Sequence, residues 1–179
     1  MAIAAVLSCD NATSGTASTI CPAITSRKAK VEVPTSKLKR RLAELATELA
    51  DVPLIECDVR EDRAIHKAVD ALAEAMPVLD GIVHSLAYAP AEDLQGSFVE
   101  TSRRGFAQAN DISAYSLIAV AREAHRLMSR GGSIVTMTYQ GSRRVIPNYN
   151  VMGPAKASLE ASVRYLAADL GRVGIRVNA

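Results

Sequence analysis

The chain has 179 residues, 49% apolar and 22% charged, which is long enough to bury a core and too apolar for a disordered segment. A formal net charge of +2 excludes the strongly basic field of a nucleic-acid binder, and no apolar run reaches the roughly 20 residues needed to span a bilayer. Trp is absent and aromatics make up 4%, so Ala, Leu, Ile and Val must supply most of the core.

Cys9, Cys21 and Cys57 form an odd set without metal-ligand spacing. That pattern suits reduced thiols in a cytoplasmic protein and no metal site. Met1 to Leu7 is apolar but short, and no Lys or Arg precedes it, unlike a secretory signal. Asn11 to Thr19 is small and polar without a helical or strand period.

Regular patterning begins at Ser36, a plausible N-cap. Leu38, Leu42, Leu45 and Leu49 are spaced 4, 3, 4 and define one face of a helix. Pro53-Leu54-Ile55 starts a short strand that ends near Cys57-Asp58. Ile65, Val69, Leu72 and Met76 repeat the helical spacing, and Asp58 with Glu61 resembles a capping box before them. Gly81 to His84 reads as a strand. Ala107 to Met128 reads as a long helix broken by Gly131-Gly132, and Ser133 to Thr138 as the next strand. A helix over Val151 to Leu170 stops at Gly171, and Gly174 to Asn178 begins another strand.

Strands alternating with helices imply parallel βαβ units, hence a doubly wound α/β sheet in a single domain over 1–179. Ligands in such sheets bind at the carboxyl ends of the strands. Here those ends are Asp58-Val59, Ser85 to Ala89, Tyr139 and the helix start after Asn148.

Tyr149 and Lys156 lie seven residues apart. On a helix that is nearly two turns, about 10 Å of rise, on nearly one face. A neighbouring ammonium stabilises a phenolate and makes the hydroxyl a better proton donor, and a lysine can also donate to ribose hydroxyls. Spacing alone would equally describe an amphipathic surface helix. Other candidates have plain alternatives: Asp58 as a helix cap, Leu86 and Ala89 as strand-end packing, His84 as a structural residue, and Cys57 as a buried, unreactive thiol. Arg103-Arg104 and Arg143-Arg144 read as solvated charge or as a docking face for an acidic partner.

The surrounding words are more specific. Gly132 to Tyr139 runs into Gly141-Ser142-Arg143-Arg144, then Pro147-Asn148-Tyr149-Asn150-Val151-Met152-Gly153 and Ala155-Lys156-Ala157-Ser158-Leu159-Glu160. This resembles the NADH-dependent enoyl-acyl-carrier-protein reductases, a divergent branch of the short-chain dehydrogenase/reductase superfamily. Most of that superfamily has three residues between the catalytic Tyr and Lys; this branch has six, as here, and a further Tyr where relatives use Ser, which is the place of Tyr139. Asp80 to Pro90 is similar to the nicotinamide and substrate loop, Asp111 to Ser116 to the interface helix, and Cys57-Asp58-Val59 to the adenine-binding turn. The resemblance covers about four-fifths of the chain, from near Lys37 to Ala179.

The resemblance implies a Rossmann-like fold and NADH-dependent reduction of a trans-2-enoyl thioester in fatty acid biosynthesis. Tyr149 would bind the thioester carbonyl, Tyr139 would assist the proton relay or orient the substrate, and Lys156 would hold the ribose. Asp58, Val59, Ser85 and Leu86 would contact the cofactor, and Ala87, Tyr88 and Ala89 the acyl substrate. It also implies an acyl-carrier-protein-bound substrate, a homotetramer built through the long helices, and neither nucleic acid nor membrane as partner.

Two family features are missing from the sequence. Residues 1–32 hold one glycine, Gly15, and neither a first strand nor the glycine turn that would cradle a pyrophosphate. Their length is right for both, which suggests a shifted reading frame or an altered start. At the other end, Val177-Asn178-Ala179 falls where the family continues into a substrate lid and a last strand. The sheet is therefore expected to be incomplete at both ends. A working reductase given as a fragment and an inactive remnant with weak NADH binding both stay open; the Tyr–Lys gap and Tyr139 disfavour a different short-chain carbonyl reductase.

Overall fold

The computed structural model describes Pro53 and residues 55–179. The leucine helix expected from Ser36, Leu54, and the atypical segment 1–32 lie outside these residues.

Three parallel strands form the described sheet, β1 (Gly81–His84), β2 (Gly132–Thr136) and β3 (Ile175–Asn178), in the order β1-β2-β3. Gly81 pairs with Ser133 and His84 with Thr136, while Gly132 pairs with Ile175 and Val135 with Asn178. Helix α1 (Asp62–Ala75) precedes β1. Helices α2 (Arg103–Asn110) and α3 (Ser116–Ala124) lie between β1 and β2, and α4 (Met152–Leu170) lies between β2 and β3. Parallel strands need such crossovers because a tight hairpin cannot reverse the chain twice.

The apolar spacing in α1 gives its buried stripe: Ile65, Val69, Leu72 and Met76 are all within the core. They join Ile82, Leu117, Ala121, Ile134, Leu159, Val163, Ile175 and Val177 in one cluster. Small and branched residues let helices sit close on the sheet, as the low aromatic content required. A second, smaller cluster of Ala109, Val151, Met152 and Ala155 packs where α2 meets the start of α4.

Several boundaries differ from the sequence reading, each for a local reason. Ile55 to Asp58 do not pair with the described sheet, and the strand expected from Pro53 also takes in Leu54, which lies outside the described residues. Asp58 does not cap α1: Glu61 holds the N-cap position without a side-chain bond. Instead the Asp58 carboxylate accepts from the Arg60 backbone N–H at 3.0 Å and from Arg60 Nε at 3.0 Å, a local turn that competes with capping. Strand β2 ends at Thr136 rather than Thr138. At the other end of the chain the reading holds: α4 ends at Leu170 with Gly171 as its C-cap, and a short 3₁₀ turn (Gly171–Val173) then leads to Gly174, whose left-handed φ of 76° turns the chain into β3.

The long helix between β1 and β2 starts earlier than its apolar pattern, at Arg103, where the Ser102 hydroxyl accepts from the Gly105 N–H. It is also not uniform. A π turn (Asp111–Tyr115) separates α2 from α3. Such insertions rotate the following side chains and recur at functional sites. Here the turn places Ser113 and Ser116 inside, both fully buried.

Candidate active site

The carboxyl ends of β1 and β2 open into two loops, 85–90 and 137–151. The first loop is fastened by the π turn. Ser113 Oγ accepts from the Tyr88 N–H at 3.0 Å and donates to the Tyr88 carbonyl at 3.1 Å. Ser85, Leu86, Tyr88 and Ala89 are half-buried and Ala87 is exposed. Leu86 and Tyr88 pack against the main core, and Ala89 against the small cluster that also receives Tyr149. In the sequence Ser113 stands only as one residue of the expected interface helix, where nothing signals a π turn.

The second loop holds both tyrosines. Tyr139 lies three residues beyond the end of β2 and is 42% exposed. Its centroid stands 4.8 Å from that of Tyr149, with the ring planes at 60°, an edge-to-face contact of the kind aromatic pairs prefer. Tyr149 does not lie on α4. It sits in the turn before it, where Tyr149 N–H donates to the Ile146 carbonyl and Met152 N–H donates to the Tyr149 carbonyl. Asn148 makes that turn possible: its φ is 58°, a left-handed conformation that Asn tolerates better than other side-chain-bearing residues.

Two glycines bring the elements together. A Cβ on Gly141 would stand 2.5 Å from Tyr149 Cδ1 and 2.6 Å from Cε1, and one on Gly153 would stand 3.0 Å from the Gly141 carbonyl oxygen. The loop thus lies flat on the Tyr149 ring, with the first turn of α4 behind it. A third set of contacts ties the short 3₁₀ turn after that first loop, Ala91–Asp93, into the same corner. Asp93, buried, accepts from Ser102 N–H at 2.7 Å and from the Ser102 hydroxyl at 2.9 Å, and its carbonyl accepts from the Val151 N–H at 3.4 Å.

Lys156 is 5% exposed, on the second turn of α4. Its Nζ donates to the Met137 carbonyl at 2.7 Å, which leaves further N–H donors of the ammonium for a ligand. Burial pushes its pKa down. Burial first, and then Tyr139, push the Tyr149 phenol up. The seven-residue spacing predicts that the ammonium lowers that phenol, but here burial and Tyr139 act on it instead, so Tyr149 stays protonated and can act as a hydrogen-bond donor across neutral pH.

His84 is buried and feels the Lys156 charge. Its Nδ1 pairs with Thr136 Oγ1 at 2.8 Å and its Nε2 with Ser116 Oγ at 2.9 Å. Burial, then the Lys156 charge, hold its pKa down to about 4. A base depressed in the folded state is bound by fewer protons there than in the unfolded chain, whose imidazole titrates near 6.5. Stability is therefore complete above about pH 6.5 and is lost as pH falls toward 4. We expect thermal melts to fall through this window by the equivalent of at most about 3 kcal/mol, and a His84→Asn variant to show a shallower slope. An unchanged slope would show that other groups control acid unfolding.

The remaining sequence candidates are placed less openly. Val59 is buried in the core, and Asp58 is engaged by Arg60. An adenine amino group would have to compete with that guanidinium. Cys57 is buried. For the cofactor, the described residues fit its nicotinamide–ribose half: a buried ammonium with donors to spare stands at the carboxyl ends of β1 and β2. A pyrophosphate cradle would fall outside the described residues.

Comparison with known proteins agrees with the geometry. A family model described as "Enoyl-(Acyl carrier protein) reductase" matches residues 12–179. The NADH enoyl-[acyl-carrier-protein] reductase FabI of Bacillus cereus is 50% identical over 145 residues, 80% of this chain and 57% of that protein. Escherichia coli FabI is 46% identical over 144 residues, 80% of this chain and 55% of that protein. The crystal structure of the Aquifex aeolicus NADH enzyme superposes with a TM-score of 0.78 at 49% identity, covering 81% of this chain and 63% of that one. The Bacillus cereus enzyme, crystallised with NADP+ and indole naphthyridinone, gives 0.77 at 50% identity over 81% and 57%. The chain spans a little over half the length of these relatives. On its sheet, its paired tyrosines and these matches, the chain belongs to the enoyl-acyl-carrier-protein reductase family and has its Rossmann-like α/β fold.

Proposed function

We propose that this protein reduces the trans-2 double bond of an enoyl thioester carried by acyl carrier protein, using NADH, in cytoplasmic fatty acid biosynthesis. The observation that carries the reading is the joint placement of Tyr139, Tyr149 and Lys156, with the two rings in contact and the ammonium buried beside the strand ends. The family membership supplies the reaction class.

NADH, when bound, supplies a hydride, and with it the electron pair, to the β-carbon of the substrate. The double-bond electrons move onto the thioester carbonyl, giving an enolate, and a proton then completes the α-carbon. Tyr149 keeps its proton at neutral pH and donates a hydrogen bond to the developing oxyanion. A donor fixed in place before charge develops costs no reorganisation at the moment of reaction. Tyr139, more exposed, orients the thioester or relays the proton. Lys156 would hold the ribose hydroxyls with the donors left over from its bond to the Met137 carbonyl, and so set the nicotinamide over the substrate. Ser85 and Leu86 would line the nicotinamide side, the Asp58 turn would border the adenine side if its carboxylate exchanged Arg60 for the adenine amino group, with Val59 packed beneath it, and Ala87, Tyr88 and Ala89 would meet the acyl chain.

Arg143 and Arg144 are exposed on the loop leading to Tyr149, where they suit the acidic surface of an acyl carrier protein. The α2–α3 and α4 surfaces, with Phe106, Tyr115 and Tyr165 exposed, suit assembly into a homotetramer. No helix among the described residues is long and apolar enough to cross a membrane.

The test is NADH oxidation by the 179-residue chain with crotonyl thioester as acceptor. Saturable, crotonyl-dependent loss of NADH is expected. Absence of NADH binding at millimolar concentration would instead make the chain an inactive relative of the enzyme.

A further inference from the structure

We propose that Glu160 is a positioning residue for the reaction, whose carboxylate fixes the 138–142 segment so that Tyr139 and Gly141 meet the Tyr149 ring. The inference rests on the reductase reading for its effect on turnover, and on geometry alone for its effect on the rings.

Glu160 lies four residues after Lys156, on the same face of α4. Its Oε1 accepts from Thr138 Oγ1 at 2.8 Å and from Ser142 Oγ at 2.6 Å. These two hydroxyls bracket Tyr139-Gln140-Gly141. The helix therefore grips this loop at Met137 through Lys156, and at Thr138 and Ser142 through Glu160. Hydrogen bonds to an ionised acceptor are stronger than neutral ones. The Ser142 hydrogen bond leads in holding the Glu160 carboxyl below its ordinary value, so it is ionised throughout the neutral range. Arg143 Nε, 3.6 Å from Oε2, is 80% exposed, and an ion pair of that kind contributes little. The hydroxyl pair is what distinguishes Glu160 from a solvated surface charge.

The consequence is geometric. Without the carboxylate, nothing else described on α4 engages the Thr138 and Ser142 hydroxyls. The Tyr139 ring is then free to swing from Tyr149, and Gly141 to lift from the Tyr149 ring face.

The experiment uses the full chain with ring-labelled tyrosine, and compares Glu160→Ala with Glu160→Gln. The amide oxygen of the Gln variant can still accept both hydroxyls. The Tyr139–Tyr149 inter-ring NOE is expected in the parent and in Glu160→Gln, and is expected to be lost in Glu160→Ala. In parallel, kcat should drop about tenfold or more in Glu160→Ala, with KM for NADH nearly unchanged, and recover to within about threefold in Glu160→Gln. Thr138→Val with Ser142→Ala, which keeps the carboxylate, should reproduce the Ala result and serves if Glu160→Ala does not fold. An NOE that persists in Glu160→Ala or in the double variant overturns the proposal. An NOE lost as expected in a chain that shows no turnover supports the positioning role and rejects only the reductase reading.

Discussion

Replacing Tyr149 with Phe is expected to lower kcat by about 10²- to 10³-fold, the usual cost of removing one donor from a developing oxyanion. The fold should survive, because the ring stays packed on Ala109, Val151, Met152 and Ala155 and on the Tyr139 edge. KM for NADH should change little, since the cofactor contact assigned to this end of α4 belongs to Lys156. The pH dependence gives a second reading of the same group. Burial and Tyr139 raise the phenol above its ordinary value, so the donor proton is lost only above about pH 10. Activity limited by Tyr149 should therefore hold across neutral pH and fall on the far alkaline side. If Tyr149→Phe keeps kcat within a few-fold of the parent, the hydroxyl is not the oxyanion donor, and the exposed Tyr139 takes its place in the mechanism.

What the sequence made legible followed from period and from motif. The 4, 3, 4 apolar spacing of Ile65, Val69, Leu72 and Met76 places α1 correctly, because a helix buries one stripe and that stripe is visible in one dimension. The short apolar runs at Gly81–His84 and Ile175–Asn178 are strands for a similar reason: both end in polar residues, and their alternating burial follows the two-residue period. The motif around Tyr139 and Lys156 carries the family's signature in one dimension, and the family match agrees with it.

What was not legible depends on contacts between segments far apart in the chain. Ser113 meets Tyr88, 25 residues away, only because a π turn rotates it inward. The apolar pattern of an α-helix and of one with a π insertion differ by a single residue. Thr138 and Ser142 look like ordinary loop hydroxyls until Glu160 is brought against them. The Tyr149 phenol moved opposite to the expected direction because the spacing to Lys156 says nothing about how much water each group loses. In each of these cases the sequence supplied the chemical type and the tertiary packing decided the partner or the environment; Asp58, expected at the adenine or as a helix cap, is instead held locally by Arg60, two residues on.

The second large effect concerns a residue with no functional group. Gly141→Ala is expected to cut kcat by about 10- to 100-fold, because small displacements of a reacting group are that costly. The glycine is required for space and not for an unusual backbone angle. An added methyl carbon would lie 2.5 and 2.6 Å from two atoms of the Tyr149 ring and 3.4 Å from Tyr139 Cδ1. Real contacts of that length do not occur, so something must move. The loop is poorly placed to retreat, since the Gly141 carbonyl already faces Gly153 at the start of α4 and Glu160 holds Ser142 from the other side. The Tyr149 ring is therefore the part that shifts, into its contact with Tyr139 or toward the small cluster below it. Overpacking of this kind costs about 1–3 kcal/mol of stability, so a modest fall in melting temperature should accompany the loss of turnover. Lys156 and its bond to Met137 lie outside the clash, and KM for NADH should stay near the parent value. A Gly141→Ala protein with kcat within twofold of the parent would mean that the loop relaxes freely, and that the close seat of Gly141 on Tyr149 does not set the position of the catalytic hydroxyl.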